Sequence, residues 1–499
     1  MSRDLADVCL VLEGTYPYVQ GGVASWTHQL ISNQKDLTFH IVTVIAPSMP
    51  QVIKYDLPKN ILSINPIILQ EFQSGREIFF GKKSFFERLE KNLQAFLKNA
   101  ESHHFSALVE DFQKYKKKLG KKLLLNSQYS WEMLTKLYKE NIPKEPFLDF
   151  FWTFRSLLGG LYSILLADTP PAKIYHTICT GYAGLFACKA HIEMRRPCLL
   201  TEHGIYTNER RIEIASANWL QERPVDTLSI DKCCIGLKNF WSNTFSTYSQ
   251  ACYNFSSLII TLFEGNRQLQ IREGAKAESV YLIPNGIDSK RLSKIPRNKA
   301  PRPFTVAFIG RVVPIKDIKS FIIACSLVMK KSLEEKNHQS FRFWILGPAD
   351  EDPSYFEECL EMLEEYQLKE WLTFFGKVHV EEFFPEVDLL VLTSISEAQP
   401  LVILEAAAAG IPTVSTDVGA CEEMLYGKDD EEPKIGPSGI ITPLLSPKDT
   451  ALGILKMQRD KDFYLSCCRN GQERVMRYYD TSQVTKAYGD LYHKYISEK

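Results

Sequence analysis

Phe304-Thr305-Val306-Ala307-Phe308-Ile309-Gly310-Arg311-Val312-Val313-Pro314-Ile315-Lys316 is the stretch on which the fold turns. Its first six residues form an almost wholly apolar run without polar alternation, the mark of a strand buried on both faces, as in a parallel sheet. A glycine ends the run, and from Ile315 to Lys330 the apolar residues recur with a helical period. Phe341 to Leu346, Leu372 to Phe375 and Asp388 to Leu392 repeat the strand pattern, and Ser354 to Tyr366 supplies another helix. Strand, helix, strand at this spacing predicts right-handed βαβ units and a parallel α/β sheet. The expected domain covers residues 291–475.

Working back towards the N-terminus, the same grammar returns. Val8 to Glu13 reads as a strand, followed by a glycine-bearing turn, a helix from Gly22 to Asn33 and a strand from Thr38 to Ala46. The pattern resumes at Lys173 to Thr177, Pro197 to Thr201, Leu258 to Leu262 and Val280 to Pro284. Between residues 70 and 169 it gives way to an aromatic, lysine-rich sequence of helical period, read as a helical insertion. The first domain is therefore expected over 1–290, joined by a C-terminal helix over 476–499, with Ser293 to Pro303 as the linker. The acidic string Asp429-Asp430-Glu431-Glu432 reads as a solvated loop, and the lysines from Lys116 to Lys122 as the solvated face of a helix. Two doubly wound domains would face one another across a cleft, and ligands of open α/β sheets bind at the carboxyl ends of the strands.

Charge narrows the function classes. With 59 basic and 60 acidic residues among 499, the net charge is −1, which argues against a partner held by bulk phosphate neutralisation; no nucleic acid is expected. The start carries acids and only a short apolar run, so no signal peptide is expected. The most apolar segment, Leu157 to Ala167, is well short of the roughly 20 residues that span a bilayer. Twelve cysteines, with adjacent pairs at Cys233-Cys234 and Cys467-Cys468 but no C-x-x-C, favour reduced thiols in the cytoplasm over zinc or disulfide chemistry.

Three segments carry chemistry. In Ser396-Glu397-Ala398-Gln399-Pro400-Leu401-Val402-Ile403-Leu404-Glu405, a strand end leads through a loop to a helix opened by proline. The N–H groups of Leu401 and Val402, with the positive end of the helix dipole, suit a phosphate. Glu397 and Glu405 can accept hydrogen bonds from vicinal hydroxyls of a sugar and a ribose, and Gln399 adds an amide near the sugar. The plainer alternative is a dipole partner and an ordinary helix-face glutamate. Arg311 and Lys316 flank the turn after Ile309, where a fork and a point charge offset charge on a departing diphosphate. Gly21 and Gly22, in the first strand-to-helix turn, let a ligand approach the backbone. No acidic pair suited to a metal is found, so no metal and no cofactor is expected.

These features together resemble the GT-B glycosyltransferases of the large retaining family four. Its E-x7-E element corresponds to Glu397 and Glu405, and its basic pair to Arg311 and Lys316. Ile283-Pro284-Asn285-Gly286-Ile287-Asp288 looks like its domain junction, and Ile345-Leu346-Gly347-Pro348 like its base-side strand end, placing Gly347 among the donor-binding residues. Leu12-Glu13-Gly14-Thr15-Tyr16-Pro17 with Gly21-Gly22, and Thr201-Glu202-His203-Gly204 with Glu209-Arg210, look like the PelF proteins of the Pel exopolysaccharide system. That resemblance implies a cytoplasmic, metal-independent enzyme using a UDP-sugar (UDP-glucose or a UDP-N-acetylhexosamine) and extending a polysaccharide acceptor. It also implies partners among inner-membrane synthase and export proteins, and puts His203 beside the transferring sugar as a catalytic candidate with Glu397, Arg311 and Lys316. Ala398-Gln399-Pro400 departs from the Phe-Gly common in the wider family, so the donor sugar does not transfer from it. A catalytically silent nucleotide-sugar sensor or scaffold is the rival from another class.

Overall fold

Seven parallel strands make the first sheet: β1 (Ala6–Glu13), β2 (Phe39–Ile45), β3 (Ile61–Ile68), β4 (Ala172–Thr177), β5 (Cys198–Glu202), β6 (Leu258–Thr261) and β7 (Val280–Leu282). Their order is β3-β2-β1-β4-β5-β6-β7. Six more, β8 (Phe304–Ile309), β9 (Phe341–Leu346), β10 (Leu372–Gly376), β11 (Leu389–Leu392), β12 (Thr413–Thr416) and β13 (Gly439–Thr442), form the second in the order β10-β9-β8-β11-β12-β13. Both are doubly wound sheets of the 3-2-1-4-5-6 type, α/β as expected. The computed structural model describes residues 4–75, 81–216, 236–298, 300–334 and 341–497; the Cys233-Cys234 pair lies outside them.

The sheets belong to separate units. One comprises Met1–Thr261, Arg267–Leu282 and Tyr488–Lys499, the other Leu262–Asn266 and Ile283–Ala487. The sequence placed the division at 290/291 and gave 476–499 to the first domain; the units part at Leu282/Ile283 and at Ala487/Tyr488. The polar segment read as a linker packs within the second unit instead. Arg302 grips Asp388 at the start of β11, with Nη2 2.8 Å from Oδ1.

Continuous apolar runs gave β1, β2, β8 and β9 because both faces of each are covered. β3 escaped that reading. It is an edge strand containing Asn65 and Pro66, and proline is tolerated there because the edge asks less of the ladder. β12 and β13 have only four residues each, too short for periodicity to register.

Between β3 and β4 the chain forms helices α2 (Lys82–Asn99), α3 (Ser102–Tyr115), α4 (Lys121–Asn126), α5 (Gln128–Asn141) and α6 (Phe147–Leu166), following α1 (Gly22–Asn33) and preceding α7 (Tyr182–Met194). Phe85, Phe96, Phe105, Phe112 and Tyr162 join the core that α7 and β1 share with this insertion. The apolar stretch around Leu157–Leu166 is buried in it, and no helix among the described residues is long and apolar enough to cross a membrane. Lys116, Lys117 and Lys118 lie in the turn after α3 rather than on a helix. Lys116 Nζ reaches Asp168 Oδ1 at 2.6 Å and the Ala167 carbonyl at 2.9 Å.

The acidic string also needs correction. Glu431 is 6% exposed and Arg474 1%. Arg474 donates from Nε to Glu431 Oε1 at 2.8 Å, and also to the carbonyls of Leu425 and Gly436. Burial pushes the Glu431 carboxyl up, but the Arg474 hydrogen bond and other contacts outweigh it and hold the pKa below the ordinary value. This pair therefore stabilises the fold above the ordinary carboxylate pKa, and the contribution is lost as pH falls through the lower folded value. Removing one partner leaves a buried charge, so Arg474→Ala should cost about 3–5 kcal/mol in urea unfolding; a loss below about 1 kcal/mol would show that Glu431 is solvated.

Candidate functional site

β8 and β11 are adjacent and parallel in the second sheet. Because the strand order reverses there, their following loops leave towards opposite faces and open a crevice at the carboxyl ends. The loop after β8 carries Arg311 and Lys316, and the loop after β11 carries Glu397. Backbone and side chain stitch the two together: Ile395 N–H donates to the Ile315 carbonyl at 2.9 Å, and the Thr393 hydroxyl to the Asp317 carbonyl at 2.9 Å.

Lys316 Nζ is ion-paired with Glu397 Oε1, across 81 residues of sequence. The Ser394 hydroxyl donates to the same oxygen at 2.7 Å. Both paired side chains are largely shielded, 18% and 12% exposed. Arg311 lies on the same loop but turns to Glu351, with Nη1 2.6 Å from Oε1, and this pair is half exposed. Each cation thus already holds a carboxylate.

Pro400 is the residue before the helix Leu401–Ala408 rather than its first turn, and no side chain caps this end. The N–H groups of Leu401 and Val402 have no acceptor among the described residues, as first-turn donors of a helix do not. Glu405 is half-buried one turn on. Burial raises its pKa, Glu381 adds to the rise, and Arg291 opposes it. A carboxyl so placed gains from any hydroxyl that donates to it.

Gln399 is the amide that the sequence sets near the sugar. It is buried, and its Oε1 accepts from the Asn285 N–H at 2.7 Å, pinning the Pro284-Asn285-Gly286 turn. Gly347 sits at φ 152, where a Cβ would meet the Gly310 carbonyl oxygen at 2.0 Å. Its bareness lets the loops after β8 and β9 touch. Gly419, which sequence reasoning missed, does the same after β12: at φ 54, a Cβ would lie 2.3 Å from the carbonyl oxygens of Glu397 and Ala398. Its only signal was a lone glycine following a short strand.

In the first unit, Gly21 and Gly22 open α1. Nothing among the described residues lies within 4 Å of where their Cβ atoms would be, so packing does not demand glycine there. α1 also carries Trp26, whose ring meets His203 edge-on at 4.6 Å. This brings the glycine turn and the His203 loop after β5 together.

Two carboxylates quoted only as motif letters each gather several donors. Glu13, ending β1, accepts from the Tyr206 hydroxyl at 2.8 Å and the Ala183 N–H at 3.1 Å, with Arg210 at 3.6 Å. Glu202, ending β5 and fully buried, accepts from Gln270 at 2.8 Å, Tyr253 at 2.9 Å and the Tyr206 N–H at 3.1 Å. His176 in β4 bridges Tyr492 and Thr201, at 2.7 and 2.9 Å, and burial lowers its pKa to about 3. It is a neutral structural ring. One-dimensional sequence gave no sign of these contacts.

Comparison with known proteins follows this geometry. The family model described as "Domain of unknown function (DUF3492)" matches residues 6–278, more than half of the chain. The chain belongs to this family. Residues 303–460 of this DUF3492 protein match the model "Glycosyl transferases group 1". A D-inositol 3-phosphate glycosyltransferase of Paenarthrobacter aurescens is 27% identical over 36% of the chain and 43% of its own length. The chain thus spans less than half of that relative. An N-acetylgalactosaminyltransferase of Campylobacter jejuni acting on N,N'-diacetylbacillosaminyl-diphospho-undecaprenol is 24% identical over 49% of the chain and 62% of its length. Sucrose-phosphate synthase of Thermosynechococcus elongatus superposes with a TM-score of 0.59 at 16% identity, covering 98% of this chain and 100% of that one. Anabaena HepE, solved with UDP, gives 0.58 at 13%, covering 98% and 99%. The fold of this DUF3492 chain is GT-B.

The buried carboxyl at the end of β5 makes stability depend on pH. Burial raises Glu202 from the ordinary 4.5 to about 7. The folded state therefore holds a proton that the unfolded chain releases, and stability falls as pH rises between those values. Urea unfolding across that window should show the decline, and Glu202→Gln should flatten it; an equal slope in the variant would place the titration elsewhere.

Proposed function

We propose that this chain is a retaining, metal-independent glycosyltransferase that moves a hexose from UDP-glucose or a UDP-N-acetylhexosamine to a growing exopolysaccharide, as its PelF-like motifs imply. The observation that carries the reading is the Lys316–Glu397 pair at the β8/β11 crevice, beside the uncapped start of helix Leu401–Ala408. The group 1 match over the same region and the curated relatives, which are named as glycosyltransferases, point the same way. HepE, a structural neighbour, has been solved with UDP-glucose.

In this mechanism the diphosphate displaces carboxylates from Lys316 and Arg311 and lies against the N–H groups of Leu401 and Val402. Glu397, released by Lys316, turns to the sugar's hydroxyls, and Glu405 accepts from the ribose. Gly347 holds the loop of Arg311 in register. As the glycosidic bond to the diphosphate breaks, negative charge grows on the leaving oxygen, where the two cations and the helix dipole stabilise it. That oxygen takes the proton of the incoming acceptor hydroxyl on the same face, so configuration is retained. His203 stands on the acceptor side. The enzyme works in the cytoplasm, recruited to the inner membrane face by synthase and export proteins.

Calorimetry and kinetics separate the roles. Lys316→Ala and Arg311→Ala should weaken UDP and UDP-sugar alike. Glu405→Gln should weaken UDP, whereas Glu397→Gln should spare UDP affinity and lower kcat and kcat/KM together. Loss of one charge-assisted hydrogen bond costs about 1.5–3 kcal/mol, on the order of 10- to 150-fold. Unchanged UDP affinity in both cation variants would remove the diphosphate from this crevice, and donor binding without turnover or hydrolysis would identify a sensor.

Turnover should also survive chelation, because the cations and helix dipole already offset the diphosphate charge. Activity abolished by EDTA and restored by Mg²⁺ or Mn²⁺ would overturn metal independence.

A further inference from the structure

Two imidazoles and a carboxylate converge where α2 gives way to α3, on residues that the proposed reaction does not use. Ala100 turns the chain at φ 53, and Glu101 immediately precedes α3. His103 Nδ1 lies 3.5 Å and His104 Nε2 3.8 Å from the same oxygen, Glu101 Oε2. All three donor atoms fall within 4.8 Å of one another. A tetrahedral zinc ion with bonds of about 2.1 Å spaces its ligand atoms by roughly 3.4 Å, so two separations already approach the required edge.

The surroundings orient the ligands. Asn92 Oδ1, on α2, accepts from His104 Nδ1 at 3.0 Å. That hydrogen bond puts the ring's proton on Nδ1 and leaves a lone pair on Nε2, aimed at Glu101. Asn99 Nδ2 donates to the other carboxylate oxygen, Oε1, at 3.1 Å, leaving Oε2 to the histidines. Such outer partners fix the tautomer and angle of metal-binding imidazoles. The carbonyl end of α2 meets the amide end of α3 here, so the positive dipole end that would repel a cation has a negative one beside it.

We propose that Glu101, His103 and His104 form a binding site for a divalent transition metal of zinc type, which clamps the α2–α3 turn of the helical insertion. His103 and Glu101 are 69% and 46% exposed, so water completes the coordination. The site is independent of donor turnover and does not rest on the proposed activity.

The test uses the full chain stripped of metal by a chelator and then titrated with Zn²⁺ by calorimetry, with melting temperature followed in parallel. One equivalent should bind and raise the melting temperature, since an ion that binds only the folded state stabilises it. The His103→Ala/His104→Ala double variant should lose that equivalent, and Asn92→Ala should weaken it about 10- to 100-fold. Co²⁺ bound in place of zinc should show no thiolate charge-transfer absorption, which separates this site from the cysteines. Donor turnover in the double variant should match wild type. Unchanged zinc binding in the double variant, a thiolate signature, or wild-type protein that zinc does not stabilise would each overturn the proposal.

Discussion

A parallel sheet that grows outward in both directions from its first strand cannot keep all of its connections on one face. Where β8 meets β11, the two following loops are driven apart and a crevice is left at the strand ends. Much else in the second unit answers that constraint. Thr393 and Ile395 tie the loops back together, Gly347 and Gly419 let neighbouring turns press against them, and Lys316 with Glu397 fills the gap with opposed charge. The crevice is thus held open by topology and held in shape by local bonds.

The first sheet obeys the same rule at β1 and β4 but fills its crevice differently. Glu13 ties the ends of β1 and α7 to Tyr206 and Arg210, in a polar cluster that a tyrosine hydroxyl and a backbone N–H share with the guanidinium. Glu202, one strand further along, gathers donors from four segments. Buried polar groups of this kind are costly unless matched, and both oxygens of Glu202 hold donors. The open surface near them is the bare start of α1.

The architecture was legible where physics writes it locally. Strands covered on both faces produce unbroken apolar runs, and the helical insertion announced itself by period and aromatic content. Edge strand β3 did not, because its Asn65 and Pro66 are permitted by its position in the sheet, and position is not a local property. For the site, sequence could set Arg311, Lys316, Glu397 and Glu405 near strand ends and helix starts, since turns and caps are local. It could not show that Lys316 and Glu397 pair, that Arg311 turns to Glu351, or that Gln399 accepts from the Asn285 N–H, because each depends on which loops tertiary structure brings into contact. The contacts of Glu13, which the sequence offered only within a motif, and the role of His176 were hidden for the same reason.

The latch between Glu431 and Arg474 changes what the surrounding loop can tolerate. By composition, Asp429-Asp430-Glu431-Glu432 is the kind of segment an engineer would choose for an epitope tag, a fusion or a fluorescent probe. Only some of it is surface. Asp429 and Asp430 are free to vary, but lengthening the chain on either side of Glu431 would draw its carboxylate away from a guanidinium with no water to replace it. The loop behaves as a keyed insert in the second unit's core, and grafts belong on the turn of lysines after α3, where Lys117 and Lys118 stand exposed.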